Sequence, residues 1–243
     1  MTLLLCMFHL SVSFDVSSSS CVYLFHFHQP RDYVPRHPYK NPGERIIQFV
    51  DLYTIFYQYR ILWIAQPISD DFANQILAIM LFLDAKNSKD MNLYIGCVDG
   101  DLTPTLAIYD TMQKARSDVG TANIGAAFGS AGFLLAAGTK GKRFSYENAF
   151  VMLQPPAAST RGQASDIINE TRELLRQKDY MMERLAEHTG HSFKKVEADL
   201  KRNRYFNAEM AKSYGIIDHI VVGRGVKAKD VAKKTEEAAR AGR

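Results

Sequence analysis

The chain has 243 residues, 47% hydrophobic and 23% charged, the balance of an ordinary globular protein with one sizeable core. Its formal charge of +4, from 30 basic and 26 acidic residues, is slight. No basic stripe interleaved with aromatics indicates a nucleic-acid partner, and no apolar run is long enough to span a bilayer. Cys6, Cys21 and Cys97 have neither metal-ligand spacing nor a disulfide framework, which fits a reducing compartment.

Residues 1–41 read as a leader. Leu3 to Phe14 is apolar, Ser17 to Ser20 is a serine run, and an aromatic, histidine-rich stretch follows. The charged start of a secretory signal is missing, and the serine content and scarcity of acids lean toward an organelle transit peptide. His26, His28 and His37 are metal-ligand types without a packed scaffold, so a mostly disordered leader is the stronger reading. Gln48 to Ala65 is crowded with aromatic and β-branched residues and holds the single tryptophan, Trp63. Extended and exposed, it would be an aggregation hazard.

From Ile68 onward helical and strand patterns alternate, which predicts an α/β fold with crossover units. Asp70 and Asp71 precede a helix carrying Ile76, Ile79, Met80 and Leu83. Leu93 to Ile95 reads as a strand that ends at Asp99-Gly100-Asp101. Thr103 and Pro104 open a helix through Leu106, Tyr109 and Met112. Ala122 to Ile124 is a short buried strand, and small residues from Gly125 to Gly132 lead into a buried helix over Phe133 to Ala137. Phe150 to Leu153 is a further strand. A long helix spans about Gln163 to His188, with Ile167, Leu174 and Met181, and Ile168, Leu175 and Met182, recurring every seven residues; Gly190 stops it. That seam suits a core-facing stripe or packing against another subunit. Ser192 and Asn207 are candidate N-caps, the first of a helix through Val196 and Leu200. Gly215 precedes a strand over Ile216 to Val222. Residues 223–243 form a basic tail with Arg224, Lys227, Lys229, Lys233, Lys234, Arg240 and Arg243.

Several segments, in order, resemble the proteolytic subunit of the Clp protease. Gly43-Glu44-Arg45-Ile46-Ile47 is similar to the family's entry into its first core strand. Leu106 to Met112, and Leu134 to Gly138 followed by Lys140-Gly141-Lys142-Arg143, are nearly verbatim family segments. Gly162 to Ile167 and Leu185 to Gly190 match the region of its long "handle" helix, and Ala208-Glu209 with Tyr214 to Asp218 its C-terminal element. The resemblance covers residues 42–222, interrupted at residues 48–65. That interruption reads as a genuine insertion near the axial face, a docking element, or translated intron sequence; the abrupt resumption at Gln66-Pro67-Ile68 favours the last.

The resemblance implies a crotonase-like α/β fold of βαβ repeats with a protruding handle helix. It also implies heptameric rings stacked in pairs around Ser-His-Asp sites, and a ring-shaped AAA+ unfoldase that threads protein substrates in. No cofactor is expected, since ATP is used by the unfoldase and not by this chain.

The family's nucleophilic serine stands at the start of the buried helix, where backbone amides and the helix dipole favour an oxyanion. Ungapped alignment places Gly129 there. The family's Met-Ile-His-Gln-Pro strand is matched by Met152-Leu153-Gln154-Pro155-Pro156, so Gln154 stands where the histidine belongs. A carboxamide is not basic near neutral pH. Asp199 matches the triad acid and is retained. In the oxyanion region, Ser-Pro-Gly-Gly of the family is replaced by Cys97-Val98-Asp99-Gly100, where the Asp99 carboxylate would oppose developing negative charge. Ser130 completes the oxyanion-equivalent set. As a substitute nucleophile it faces about 100° away from its neighbour on a helix. His188, His191 and His219 read as surface or cap residues.

This pattern is similar to the non-catalytic R-type paralogues of cyanobacteria and plastids. The sequence therefore predicts a structural subunit in a mixed ring with active paralogues, in the plastid stroma, with mitochondrial matrix or cytoplasm as alternatives. Two alternatives stand beside it: an active serine endopeptidase of the same complex, and a crotonase-type acyl-CoA enzyme. Against the second, the matched motifs are those of the protease branch and no acidic pair is placed for hydration chemistry.

Overall fold

The computed structural model describes residues 35–39, 48–157 and 161–222. Most of the expected leader, His26 and His28 included, and all of the expected tail lie outside the described residues. Two short strands, β1 (Arg36–Tyr39) and β2 (Gln48–Asp51), pair antiparallel with His37 opposite Val50. Asp51 then caps α1 (Leu52–Gln58), its carboxylate accepting from the Tyr53 amide at 3.1 Å.

Among the described residues the main sheet has seven strands. They are β3 (Ile61–Ile64), β4 (Met91–Cys97), β5 (Val119–Phe128), β6 (Arg143–Tyr146), β7 (Phe150–Leu153), β8 (Arg204–Asn207) and β9 (His219–Val221). Their order is β3-β4-β5-β6-β9, all parallel; β7 joins the far end of β5 in parallel and β8 pairs antiparallel with β7. Strict alternation drives the registration. Met91, Leu93, Ile95 and Cys97 are buried, whereas Asn92 is exposed and Tyr94 and Gly96 are partly covered. A sheet with one helix-covered face requires that period of two.

The buried face is covered by α2 (Asp70–Lys86), α3 (Leu102–Lys114) and α4 (Ser130–Ala136), followed by α5 (Ala164–Thr189), α6 (Phe193–Asp199) and α7 (Ala208–Tyr214). In α2, Ala73, Ile76, Met80 and Leu83 make the core stripe, and Asp70 and Asp71 complement the positive end of the helix. In α4 every residue from Ala131 to Ala136 is buried. Arg143 fastens β6 to the turn before β9: Nε and Nη2 donate to the two Asp218 oxygens at 2.9 and 2.6 Å, and Nη1 donates to the Ala136 and His188 carbonyls.

Several sequence expectations shift. The strand expected at Ala122–Ile124 runs on to Phe128, because Ala126 to Phe128 pair with β7 despite the weak strand propensity of alanine and glycine. The strand expected from Ile216 begins only at His219, since Ile216 and Ile217 turn fully into the core. Ser192 holds the N-cap position of α6 without a side-chain cap bond, whereas the Asn207 side chain accepts from the Met210 amide at 2.7 Å. In α5 the core-facing reading holds only for the C-terminal half: Met181, Met182, Leu185 and Ala186 are buried, but Ile168 is 57% and Leu175 50% exposed.

The stretch Gln48–Ala65 contains β2, α1 and β3. Leu62 and Ile64 are fully buried, and Trp63 stacks between Phe56 and Tyr94. Arg60, at φ 60°, is buried with its guanidinium on the Leu83 and Asp90 carbonyls, Asn87 Oδ1 and Ser117 Oγ.

Candidate functional site

Three segments meet where β5 turns into α4. Phe128 pairs with Met152 across β5 and β7, and the Gly129 amide donates to the Met152 carbonyl at 2.8 Å. The chain then reverses through Gly129 at φ 54° and ψ −118°, and α4 begins. Side-chain-bearing residues rarely adopt that conformation. A Cβ built on Gly129 would lie 2.8 Å from Gln154 Nε2 and 3.4 Å from its Cδ. The structure thus brings the expected nucleophile and base positions together: Gln154 fills the space toward which a side chain at 129 would project.

That pair has no acid–base or nucleophilic chemistry. Glycine offers no attacking atom, and the carboxamide beside it does not take a hydroxyl proton near neutral pH. Ser130, one residue on, is engaged elsewhere. Its Oγ donates to the Gly100 carbonyl at 2.7 Å, toward the loop after β4.

Asp199, the last residue of α6, has both carboxylate oxygens occupied. Oδ2 accepts from the Tyr214 hydroxyl at 3.0 Å, and Oδ1 pairs with Arg204 Nη1. The Arg204 guanidinium in turn covers the Phe206 and Tyr214 rings, and Lys195 lies over Tyr214 as well. Burial, together with the adjacent Asp199 carboxylate, raises the Tyr214 phenol far above its ordinary range. Asp199 therefore ties the end of α6 to β8 and α7.

The three histidines also have other partners. His219 stacks on Phe144 and is exposed, and His191 meets the Tyr214 ring edge-on. His188 departs from the surface reading. It is partly buried, its Nε2 is 3.1 Å from the Tyr109 hydroxyl, and its ring stands edge-on to Tyr109. Burial, then the nearby Arg143 cation, lowers its pKa. Burial also pushes the Tyr109 phenol up to about 12. Tyr109 was legible as a helical core position; its polar partner, 79 residues away, left no local trace.

In the loop after β4, Asp99 is exposed and its Oδ1 accepts from the Gly100 amide at 2.8 Å. Cys97 Sγ donates to the Asp99 carbonyl at 2.7 Å. Burial raises the Cys97 pKa, which keeps the thiol protonated and unreactive. Among the described residues, no group of three His, Cys, Asp or Glu is gathered to hold a metal ion.

A family model described as Clp protease matches residues 43–224. The chain is 47% identical over 206 residues to ATP-dependent Clp protease proteolytic subunit-related protein 2, chloroplastic, of Arabidopsis thaliana, covering 84% of this chain and 73% of that protein. It is 39% identical over 188 residues to an ATP-dependent Clp protease proteolytic subunit of Oltmannsiellopsis viridis, covering 77% of this chain and 96% of that one. It is 44% identical over 189 residues to proteolytic subunit 2 of Prochlorococcus marinus (strain MIT 9313), covering 77% and 94%.

Proposed function

The chain belongs to the Clp protease family, and we propose that within it this protein is a non-catalytic structural subunit of the proteolytic core. One observation carries the reading: the position that should attack is Gly129, and the position that should accept its proton is Gln154, packed directly against it. Losing both removes the covalent route rather than slowing it. The capture of Asp199 by Arg204 and Tyr214 supports the same reading, because the third member has no imidazole to orient.

The intact fold then has a use of its own. The subunit completes heptameric rings with serine-bearing paralogues, contributes the exposed N-terminal half of α5 to packing between subunits, and helps present the barrel to an AAA+ unfoldase. That partner consumes the ATP, and the assembly degrades proteins in quality control. The plastid stroma is the proposed compartment, supported by the chloroplastic relative.

Co-purification of a tagged copy from its native compartment tests this. Serine-bearing Clp paralogues are expected with the tag, in a particle of ring size. Recovery as a lone monomer would overturn the proposal.

A further inference from the structure

The loop after β4 is closed on itself more tightly than loss of the nucleophile and base requires. Ile68 forms a parallel bridge with Gly100: its amide donates to the Asp99 carbonyl at 3.3 Å, and its carbonyl accepts from the Asp101 amide at 2.9 Å. The approach is so close that a Cβ on Gly100 would lie 2.8 Å from Ile68 Cβ. The Gly100 peptide groups are then both satisfied within the chain. Its N–H is held by the Asp99 carboxylate at 2.8 Å, and its C=O accepts from the Ser130 hydroxyl at 2.7 Å.

We propose that Asp99 and Ser130 form a second block to acyl transfer, separate from Gly129 and Gln154. In this block the Asp99 carboxylate sits on the Gly100 amide as a tethered anion. An oxyanion can be stabilised only by donors left free and aimed at it. Here the donor is already taken by a negative oxygen on the adjoining residue, which competes at high effective concentration and also repels a second negative charge. Ser130 holds the following peptide through the Gly100 carbonyl, while the Ile68 amide and the Cys97 thiol both donate to the Asp99 carbonyl of the peptide that carries the Gly100 N–H, so that amide cannot swing toward a substrate. The inference rests on the non-catalytic reading and adds that restoring nucleophile and base is insufficient.

Two measurements on the full chain test it. Asp99-Gly100 is the sole Asp–Gly step in the sequence, so paired isotope labelling of Asp carbonyl and Gly nitrogen isolates that amide by NMR. Its solvent exchange is expected to rise roughly tenfold or more in Asp99→Ala, as a charge-assisted bond is lost. Unchanged exchange overturns the proposal whatever the second measurement gives.

The second starts from Gly129→Ser with Gln154→His and follows labelling by a fluorophosphonate. The introduced hydroxyl attacks phosphorus, an O–P bond forms, fluoride leaves as the P–F bond breaks, and the proton passes to the introduced imidazole. Adding Asp99→Ala and Ser130→Ala is expected to speed labelling roughly tenfold or more, since one oxyanion donor is worth about 10²–10³ in rate. A change below about twofold overturns the block. Either failure leaves the unmodified chain unlabelled, and so is distinct from failure of the non-catalytic reading, which labelling of the unmodified chain would reveal.

Discussion

At Gly129 a left-handed backbone and a filled space coincide, with φ at 54° and Gln154 Nε2 where a Cβ would go. A serine at such a turn must bear backbone strain, of order 1–3 kcal/mol; glycine bears almost none, and the amide of Gln154 lies against the space a Cβ would take. Gly129→Ala is therefore expected to destabilise the fold by roughly 1–3 kcal/mol, read as a lower denaturant midpoint at unchanged slope. Adding Gln154→Ala should recover only the steric part.

His188 gives a second test at this scale. Its folded pKa lies below the ordinary value of about 6.5, so the unfolded chain binds a proton more readily. Stability is then fully present above about pH 6.5 and is lost as pH falls from there toward the folded value. The groups facing the imidazole are Tyr109, Arg143, Lys140, Arg184 and Glu187. Replacing His188 with Gln should flatten the dependence of stability on pH between about 7 and 5, measured by denaturant titrations at each pH. An unchanged slope would place the dependence elsewhere.

Among the elements, α5 shows most plainly what a sequence pattern encodes and what it omits. The seven-residue recurrence located the helix to within a residue, and Gly190 at φ 75° ends it. Periodicity names a face but not the partner that covers it. In the single chain the face is core at Met181, Met182 and Leu185 and open at Ile167, Ile168 and Leu175. Hydrogen exchange should report the same division. In the isolated chain, amides over 164–175 are expected to exchange well ahead of those over 179–189, and assembly with paralogues should slow the first group. Uniform protection along the isolated helix would contradict an interface role.

The strands were less legible, for a related reason. β5 continues through Gly125, Ala126 and Ala127 because β7 offers it hydrogen bonds, a long-range pairing that local propensity does not carry. Ile216 and Ile217 read as strand because they are apolar, yet their burial follows the turn at Gly215 rather than a ladder.

For the whole molecule, the ordered motifs identified the family before any fold was visible, and residues 43–224 match it. The candidate position Gly129 followed from an ungapped count between Gly125 and Gly138, and the candidates Gln154 and Asp199 followed from matched motifs. The cross-chain ties on Asp199, Ser130 and His188 did not, because each joins residues 15 to 79 positions apart. The resulting molecule keeps a mostly parallel sheet, a buried α4 and a long α5 around the junction where Gly129 packs against Gln154. The most direct test is to incubate the purified chain, free of any paralogue, with a fluorophosphonate probe and a fluorogenic peptide, followed by intact-mass analysis. The account predicts an unmodified mass and no peptide turnover; a stoichiometric adduct on Ser130 accompanied by peptide cleavage would contradict it.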